Sequence, residues 1–372
     1  MDFSFTQEHE ELRQTVRRFL EKESTEQIVR KLMETESGYD RKTWQRMASE
    51  LSLVGLAVPE QFGGAGYGPV ELAIVFEEMG RVLFCGPYLS TAVLATGALM
   101  HAAEAEPRAK LLGEIAAGTA IATLALAEAS GRWDLESIAM RARRDGARWR
   151  LEGVMDYVLD GNLAGIVLVA ARADDGLALF LVEGGAAGFE RKPLPALDLT
   201  RKLARLSFAN TPAERISGAG DCAPALERVI GQAIAMLAAE QAGGAQRCLE
   251  MSVEYAKTRL QFGRPIGSFQ AIKHKCADLL VETEFARSAA YNAAFCAAGG
   301  DDAELAQAAH IAKSYCSEAY FHAAADNIQI HGGMGFTWEH PAHLYFKRAR
   351  ASSVMFGDPV AHRLKLAAAL GA

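Results

Sequence analysis

From residue 224 almost to its end, the chain carries one helical pattern after another. The first three patterns cover residues 224–260, 268–298 and 302–330, and a final one starts at residue 340. The three long patterns are rich in Ala and apolar on more than one face, which in a soluble protein requires burial against neighbouring helices. The sequence therefore predicts a C-terminal helical bundle whose faces also meet other subunits.

The first part of the chain, residues 6–116, is predicted to be helical as well. Thr6 followed by acidic residues is typical of a helix start, and apolar residues recur at helical spacing between Leu12 and Leu20. A reciprocal capping box is predicted to be absent, because His9 stands where that motif needs Glu or Gln.

Between the two helical parts lies a segment with the pattern of short strands. Apolar runs separated by turn signals cover residues 121–126, 149–152, 166–170, 177–182 and 203–208. The segment is too short for a (β/α)8 barrel and lacks the helices of a Rossmann sheet. The predicted fold is α+β and mainly α: an N-terminal helical domain (1–118), a middle β-barrel or sandwich domain (119–218) and a C-terminal four-helix-bundle domain (219–372).

Composition excludes several classes of function. A net charge of −7 and a pI near 5.8 argue against a nucleic-acid surface, which needs concentrated Lys and Arg. No apolar run approaches the roughly 18 residues of a membrane span, and the N-terminus lacks a secretory signal. The 6 cysteines never form a CxxC pair and are interpreted as thiols of a reducing compartment. The expected location is the cytoplasm.

Two motifs in the last third of the chain are suited to a bound pyrophosphate. One is Tyr255–Gln270, at the end of the first long helical pattern, and the other is Gln329–Phe336, which closes the third. An Arg can donate two hydrogen bonds to pyrophosphate oxygens, and glycines let backbone amides approach the same anion. A structural explanation, an Arg at a helix end or a Gly-rich C-cap, suffices for either motif alone but not for the pair.

Together with the helix–β–helix order and the segment Gly55–Gly64, these motifs resemble those of the acyl-CoA dehydrogenase family, over essentially the whole chain. The resemblance implies an acyl-CoA substrate, FAD, an electron-transfer flavoprotein as electron acceptor and a homo- or heterotetramer. It also implies which residues contact the FAD of an adjacent subunit: Arg259, Gln261, Phe262, Gln270, Gln329, Gly332, Gly333 and Gly335.

The resemblance fails at the catalytic base. Family members remove the substrate α-proton with a Glu while the β-hydrogen leaves as hydride to the flavin. Here Phe356 stands at the usual position of that Glu, and Ala233 stands at the alternative position. The segments expected to meet the chain's own flavin ring, residues 127–134 and 157–161, also depart from the family pattern.

Three interpretations stay open. The first makes the chain the non-base subunit of an α2β2 acyl-CoA dehydrogenase, as in some bacterial sterol side-chain pathways, completing the FAD site of a partner. The second is a self-sufficient homotetramer with a displaced base, Glu240 or Asp358, although a buried Glu240 paired with an Arg is the structural alternative. The third is an inert scaffold of the same fold. His331, His340 and His343 lack companion ligands, so no metal site is predicted.

Overall fold

The computed structural model describes residues 5–146 and 148–371 of the chain. They divide into two compact units. Among the described residues, we call 5–30, 69–84 and 234–371 the helical unit, and 31–68, 85–146 and 148–233 the mixed unit.

Helices dominate both ends of the chain. The N-terminal part contains α1 (Gln7–Glu23), α2 (Glu26–Met33), α3 (Arg41–Ser49), α4 (Pro69–Arg81), a π-helical segment (Leu89–Ala95), α5 (Thr96–Ala102) and α6 (Ala105–Ala116). The C-terminal part contains α7 (Ala223–Thr258), α8 (Gln270–Gly299), α9 (Asp302–His331), α10 (Ala342–Val354) and α11 (Pro359–Ala369). The three long helices therefore lie where the Ala-rich periodicity predicts them.

The strands of the mixed unit form one sheet that closes on itself. They are β1 (Ala122–Ala125), β2 (Arg141–Asp145), β3 (Arg148–Leu159), β4 (Ile166–Ala173), β5 (Gly176–Glu183), β6 (Phe189–Leu194) and β7 (Leu203–Arg215). Pairing runs β4–β2–β3–β7–β5 and returns from β5 to β4, while β1 pairs with β4 and β6 with β7. The mainly helical α+β class with a barrel-like middle part is thus confirmed.

The start of α1 differs from the sequence prediction. The backbone N–H of Thr6 donates to Nδ1 of His9 at 3.2 Å, and the N–H of His9 donates to the Thr6 hydroxyl at 3.3 Å. The prediction that the reciprocal capping box is absent is therefore wrong. An imidazole nitrogen accepts the hydrogen bond that Glu or Gln accepts in the usual motif.

Glycines allow α4 and α7 to pack backbone against backbone. A Cβ on Gly80 would stand 2.0 Å from the carbonyl oxygen of Glu240, and one on Gly243 would stand 1.9 Å from that of Glu77. The neighbouring Gly244 leaves room for the ring of Tyr320 on α9. Two adjacent glycines inside a helix are costly on propensity alone, roughly 1 kcal/mol each, so this close packing explains them.

The Ala-rich bundle encloses a polar cluster around Lys313. Its ammonium nitrogen lies 2.8 Å from the carbonyl oxygen of Ser353 and 3.1 Å from the hydroxyl of Ser317. Gln241 donates to the same Ser317 hydroxyl and to that of Ser352, both at 3.1 Å. Burial lowers the pKa of Lys313 to about 7.

Within the described ranges, no helix is long and apolar enough to cross a membrane.

Candidate functional site

The first motif forms an exposed hairpin directly after α7. Two short strands, β8 (Leu260–Gln261) and β9 (Arg264–Pro265), pair in antiparallel register across Phe262 and Gly263. Phe262 has a φ of 53° and is 90% exposed. The guanidinium of Arg259 makes no ion pair with any residue that the structure describes, so its donors are available to an anion.

The second motif forms the turn that ends α9. Gln329 is exposed in the last turn of the helix, and Gly332 has a φ of 63°, a conformation that favours glycine. No atom lies within 4 Å of a Cβ built on Gly332 or Gly333, so both face open space. Gly335 differs, because its Cβ would stand 2.8 Å from Cβ of His331; it is a packing residue of the turn.

The two motifs meet through side chains that the sequence analysis did not assign to the site. The ring of Tyr255, in the last turn of α7, stacks on that of His331 with centroids 4.3 Å apart. His340 packs on His331 at the same centroid distance. The only sequence signal for this contact is an aromatic residue within each motif, which does not reveal that the two rings touch.

Phe356 occupies the turn between α10 and α11. Its φ of 59° is unusual for a bulky residue, and its side chain is only 2% exposed. Nε2 of His362 lies 3.0 Å from the Phe356 carbonyl oxygen, so the imidazole donates to it. A buried hydrocarbon ring therefore occupies the position at which the resemblance predicts a Glu, and Ala233, at the predicted alternative position, is also buried.

Glu240 is held in a buried ion pair. Its Oε1 lies 3.2 Å from Nη1 of Arg348, whose Nη2 donates to the carbonyl oxygen of Phe84 at 3.1 Å. Both side chains are less than a tenth exposed. This is the arrangement of a structural carboxylate, matching the structural alternative for Glu240.

Asp358 is the N-cap of α11. Its carboxylate accepts a hydrogen bond from the backbone N–H of Ala361 at 2.8 Å, and Pro359 follows in the first helical position. The carboxylate is thus already used to satisfy the first turn of a helix.

In the mixed unit, polar side chains of the segment 127–134, one of the two that the sequence analysis expects near a flavin ring, bind groups of this chain. Glu128 accepts from the N–H groups of Ala139 and Met140 at 2.7 and 2.6 Å. Arg132 pairs with Asp134 in a two-point contact on the surface. On β3, Leu159 is buried, and Tyr157 has a φ of 57° at a bulge. Glu128, Arg132 and Asp134 are therefore already bound to groups of this chain.

Histidines near the glycine turn do not form a metal centre. No group of three His, Cys, Asp or Glu side chains in the described parts of the chain is placed to hold a metal ion. Burial lowers the pKa of His331, and burial together with nearby His331 lowers that of His340, which favours the neutral form of both rings. Neutral rings can stack without charge repulsion.

Comparisons with known proteins agree with this architecture. Residues 6–119 match the model of the acyl-CoA dehydrogenase N-terminal domain, and residues 221–371 match that of the C-terminal domain. The acyl-CoA dehydrogenase IpdE2 of Mycobacterium tuberculosis is 38% identical over 354 residues, covering 95% of this chain and 94% of the relative. FadE27 of the same organism is 32% identical, and the match covers 96% of this chain and 95% of FadE27.

Solved structures give the same result. A Tcur3481–Tcur3483 steroid ACAD variant superposes with a TM-score of 0.89 at 31% identity, covering 98% of both chains. A chain of the ChsE4–ChsE5 complex from Mycobacterium tuberculosis superposes with a TM-score of 0.90 at 29% identity. The match covers 100% of this chain and 99% of the matched chain. The chain therefore belongs to the acyl-CoA dehydrogenase family, oxidoreductases that act on a CH–CH bond of an acyl-CoA thioester.

Proposed function

We propose that this chain works as the non-base subunit of a heterotetrameric acyl-CoA dehydrogenase, in which it completes the FAD site of a partner chain. One contrast carries the proposal. The groups suited to a neighbour's FAD, at Arg259 and the glycine turn, are exposed, whereas the position of the catalytic Glu holds the buried Phe356.

The base is missing on chemical grounds. A phenyl ring at position 356 and a methyl group at position 233 have no lone pair for a proton. Glu240 already neutralises Arg348, and Asp358 already caps α11. A partner that supplies the carboxylate removes the need for a displaced base.

The exposed residues fit a dinucleotide. Arg259 offers a fork of donors to pyrophosphate oxygens, and Gln261 and Gln329 offer amides on the surface. The open space at Gly332 and Gly333 would let a ligand approach the backbone. Phe262, Gln270 and Gly335 complete the set, the last by shaping the turn. FAD supplies hydride acceptance when bound; this chain's residues would hold and orient its adenosine-pyrophosphate part.

Two structural relatives support a two-chain assembly. The names Tcur3481–Tcur3483 and ChsE4–ChsE5 each describe a pair of chains, and the former is called a steroid ACAD. We infer an acyl-CoA with a sterol-derived or fatty acyl group as substrate. A solved structure named for the electron transferring flavoprotein of Acidaminococcus fermentans contains a chain 26% identical to this one. We infer such a flavoprotein as the electron acceptor.

The test is to purify the chain alone and after co-expression with a second acyl-CoA dehydrogenase-like chain that carries the catalytic Glu. We expect stoichiometric FAD and acyl-CoA oxidation only in the co-purified assembly. Stoichiometric FAD and ordinary turnover with the chain alone would support a displaced base instead. A colourless assembly without turnover would identify an inert scaffold.

The role of Arg259 is tested in the same assembly. Arg259→Ala should weaken FAD binding at least tenfold, since it removes a charge-assisted pair of hydrogen bonds. Arg264→Ala is the matched control, because that guanidinium, on the same hairpin, lies over its own Phe269 ring at 4.2 Å. Equal losses in both variants would argue against a specific role for Arg259.

A further inference from the structure

Three aromatic rings from separate segments form one stack in the helical unit. The rings of Tyr255 and His331 are inclined by only 27°, and those of His331 and His340 by 44°. Tyr255 lies one turn before the hairpin, His331 is the last residue of α9, and His340 precedes α10. The stack therefore joins the two motifs that the proposed function assigns to FAD.

Hydrogen bonds fix how the two imidazoles stand. Nδ1 of His331 lies 2.8 Å from the carbonyl oxygen of Asn327, so this nitrogen carries a proton and donates. Nδ1 of His340 lies 3.2 Å from the N–H of Ala342, so that nitrogen accepts. Each imidazole thus makes one hydrogen bond to a different helix, in addition to its ring contacts.

Both motifs are attached directly to the stack. The carbonyl oxygen of Tyr255 accepts the N–H of Arg259 at 2.8 Å, and the carbonyl oxygen of Arg259 accepts the N–H of Ile266 at 2.8 Å, which closes the hairpin. On the other side, Gly335 folds onto Cβ of His331, so the glycine turn wraps around the middle residue. A shift of the His331 ring would move the turn relative to Arg259.

We propose that Tyr255, His331 and His340 are positioning residues that hold the Arg259 hairpin and the glycine turn at the separation a dinucleotide needs. This inference rests on the proposed function. The three residues do not contact the ligand; they act through Arg259 and the turn. The contribution comes from ring stacking, so a ring of another type at position 331 should serve.

The experiment compares His331→Ala with His331→Phe in the FAD-bearing assembly. Losing two ring contacts should weaken FAD rebinding to the deflavinated assembly roughly tenfold in the Ala variant. The Phe variant, which keeps the ring but loses the bond to Asn327, should restore affinity to near that of the unmodified assembly. His322→Ala, on the exposed part of the same helix, is the matched control and should leave FAD affinity unchanged.

A second readout does not depend on FAD. Amide hydrogen exchange at Arg259 and Ile266 should accelerate about tenfold in the Ala variant and stay unchanged in the Phe variant, because the hairpin loses its support. Equal FAD affinity in the Ala variant and the unmodified assembly, or failure of Phe to restore it, would overturn the proposal.

Failure of the proposed function gives a different pattern. If Arg259→Ala leaves FAD binding unchanged, or the unmodified assembly holds no FAD, the dinucleotide role of both motifs is wrong. The hydrogen-exchange data would then still show whether the ring stack supports the hairpin. The proposal that the stack positions groups for FAD would be wrong, because the FAD site itself would be absent.

Discussion

Nη1 of Arg348 lies 3.2 Å from Oε1 of Glu240, and the pair joins α10 to α7 inside the helical unit. Two charges in such a place are stable together because each offsets the other's desolvation. The pair is thus a structural contact between helices, and it accounts for a Glu in an otherwise apolar stretch of α7.

Replacing Arg348 with Met should destabilise the protein strongly. The change removes the guanidinium beside a buried carboxylate, which typically costs about 3–5 kcal/mol. Denaturant unfolding measures this loss of unfolding free energy. The double variant Glu240→Gln/Arg348→Met should recover part of it. Arg363→Met, which removes an exposed pair with Glu318, is the control and should cost less than about 1 kcal/mol.

Glu240→Gln should leave turnover of the co-purified assembly within a few-fold of the unmodified enzyme. Loss of a general base costs roughly 10²–10⁴-fold, so a drop of that size in correctly folded protein would make Glu240 the displaced base. The measurement is kcat at several pH values beside a thermal unfolding curve.

Asp358→Asn should keep both stability and turnover, because Asn caps helices about as well as Asp. Asp358→Ala should cost about 1 kcal/mol of unfolding free energy through loss of the bond to the Ala361 N–H. If Asp358 were the catalytic base, the Asn variant would instead be a folded protein without activity. Unfolding and turnover assays on both variants separate the two roles.

Lys313 should make stability depend on pH above neutrality. Burial lowers its pKa to about 7, whereas an unfolded lysine titrates near 10.4. Between these values the unfolded chain binds a proton that the folded chain lacks, so stability falls as pH drops from 10 toward 7, by about 1.4 kcal/mol per pH unit.

The measurement is the unfolding midpoint between pH 7.5 and 9.5. Lys313→Met should remove this part of the pH dependence, and the exposed Lys365→Met should retain it. A slope that is unchanged in Lys313→Met would show that the ammonium stays charged in the bundle.

His362 should produce a loss of stability in acid. Burial, with Lys313 nearby, lowers its pKa to about 3, and burial with Lys365 lowers that of His310 to about 4. Unfolded histidines titrate near 6.5, so the unfolded chain binds more protons below that pH, and stability falls as pH drops from 6.5 toward 4. The two Nδ1 atoms lie 3.0 Å apart and share one proton, which protonation of both rings disrupts.

His362→Gln should reduce this acid sensitivity, because its amide can still donate to Phe356 but does not titrate. The check is the unfolding midpoint from pH 7 to 4.5, compared with the exposed His322→Gln. If the unfolding midpoints of His362→Gln and the unmodified protein fall in parallel with pH, His362 is not the source of the acid sensitivity.

The main elements could be predicted from the sequence because their periodicity is strong. The long helices α7, α8 and α9 and the strands β4 and β5 follow directly from apolar spacing. β6 was not predicted, since Phe189–Leu194 contains Glu, Arg, Lys and Pro and shows no apolar run. The His9 cap was predicted wrongly because the usual motif covers only Glu and Gln.

The candidate site was predictable only where a residue type carries the chemistry. The roles of Arg259 and Phe356 are predictions from their positions in motifs, and the structure adds only that one is exposed and the other buried. The ring stack could not be predicted, since Tyr255 and His340 are 85 residues apart and meet only through packing. The pairing of Glu240 with Arg348 depends on the same kind of tertiary placement.

The closed course of the strands has a consequence for assembly. Of the described strands in this sheet, β1 and β6 pair on one side only, and β6 carries Arg191, Lys192 and Pro193. Charged side chains and a residue without an N–H disfavour the addition of a strand from another molecule. The β-structure of this chain therefore offers little template for aggregation.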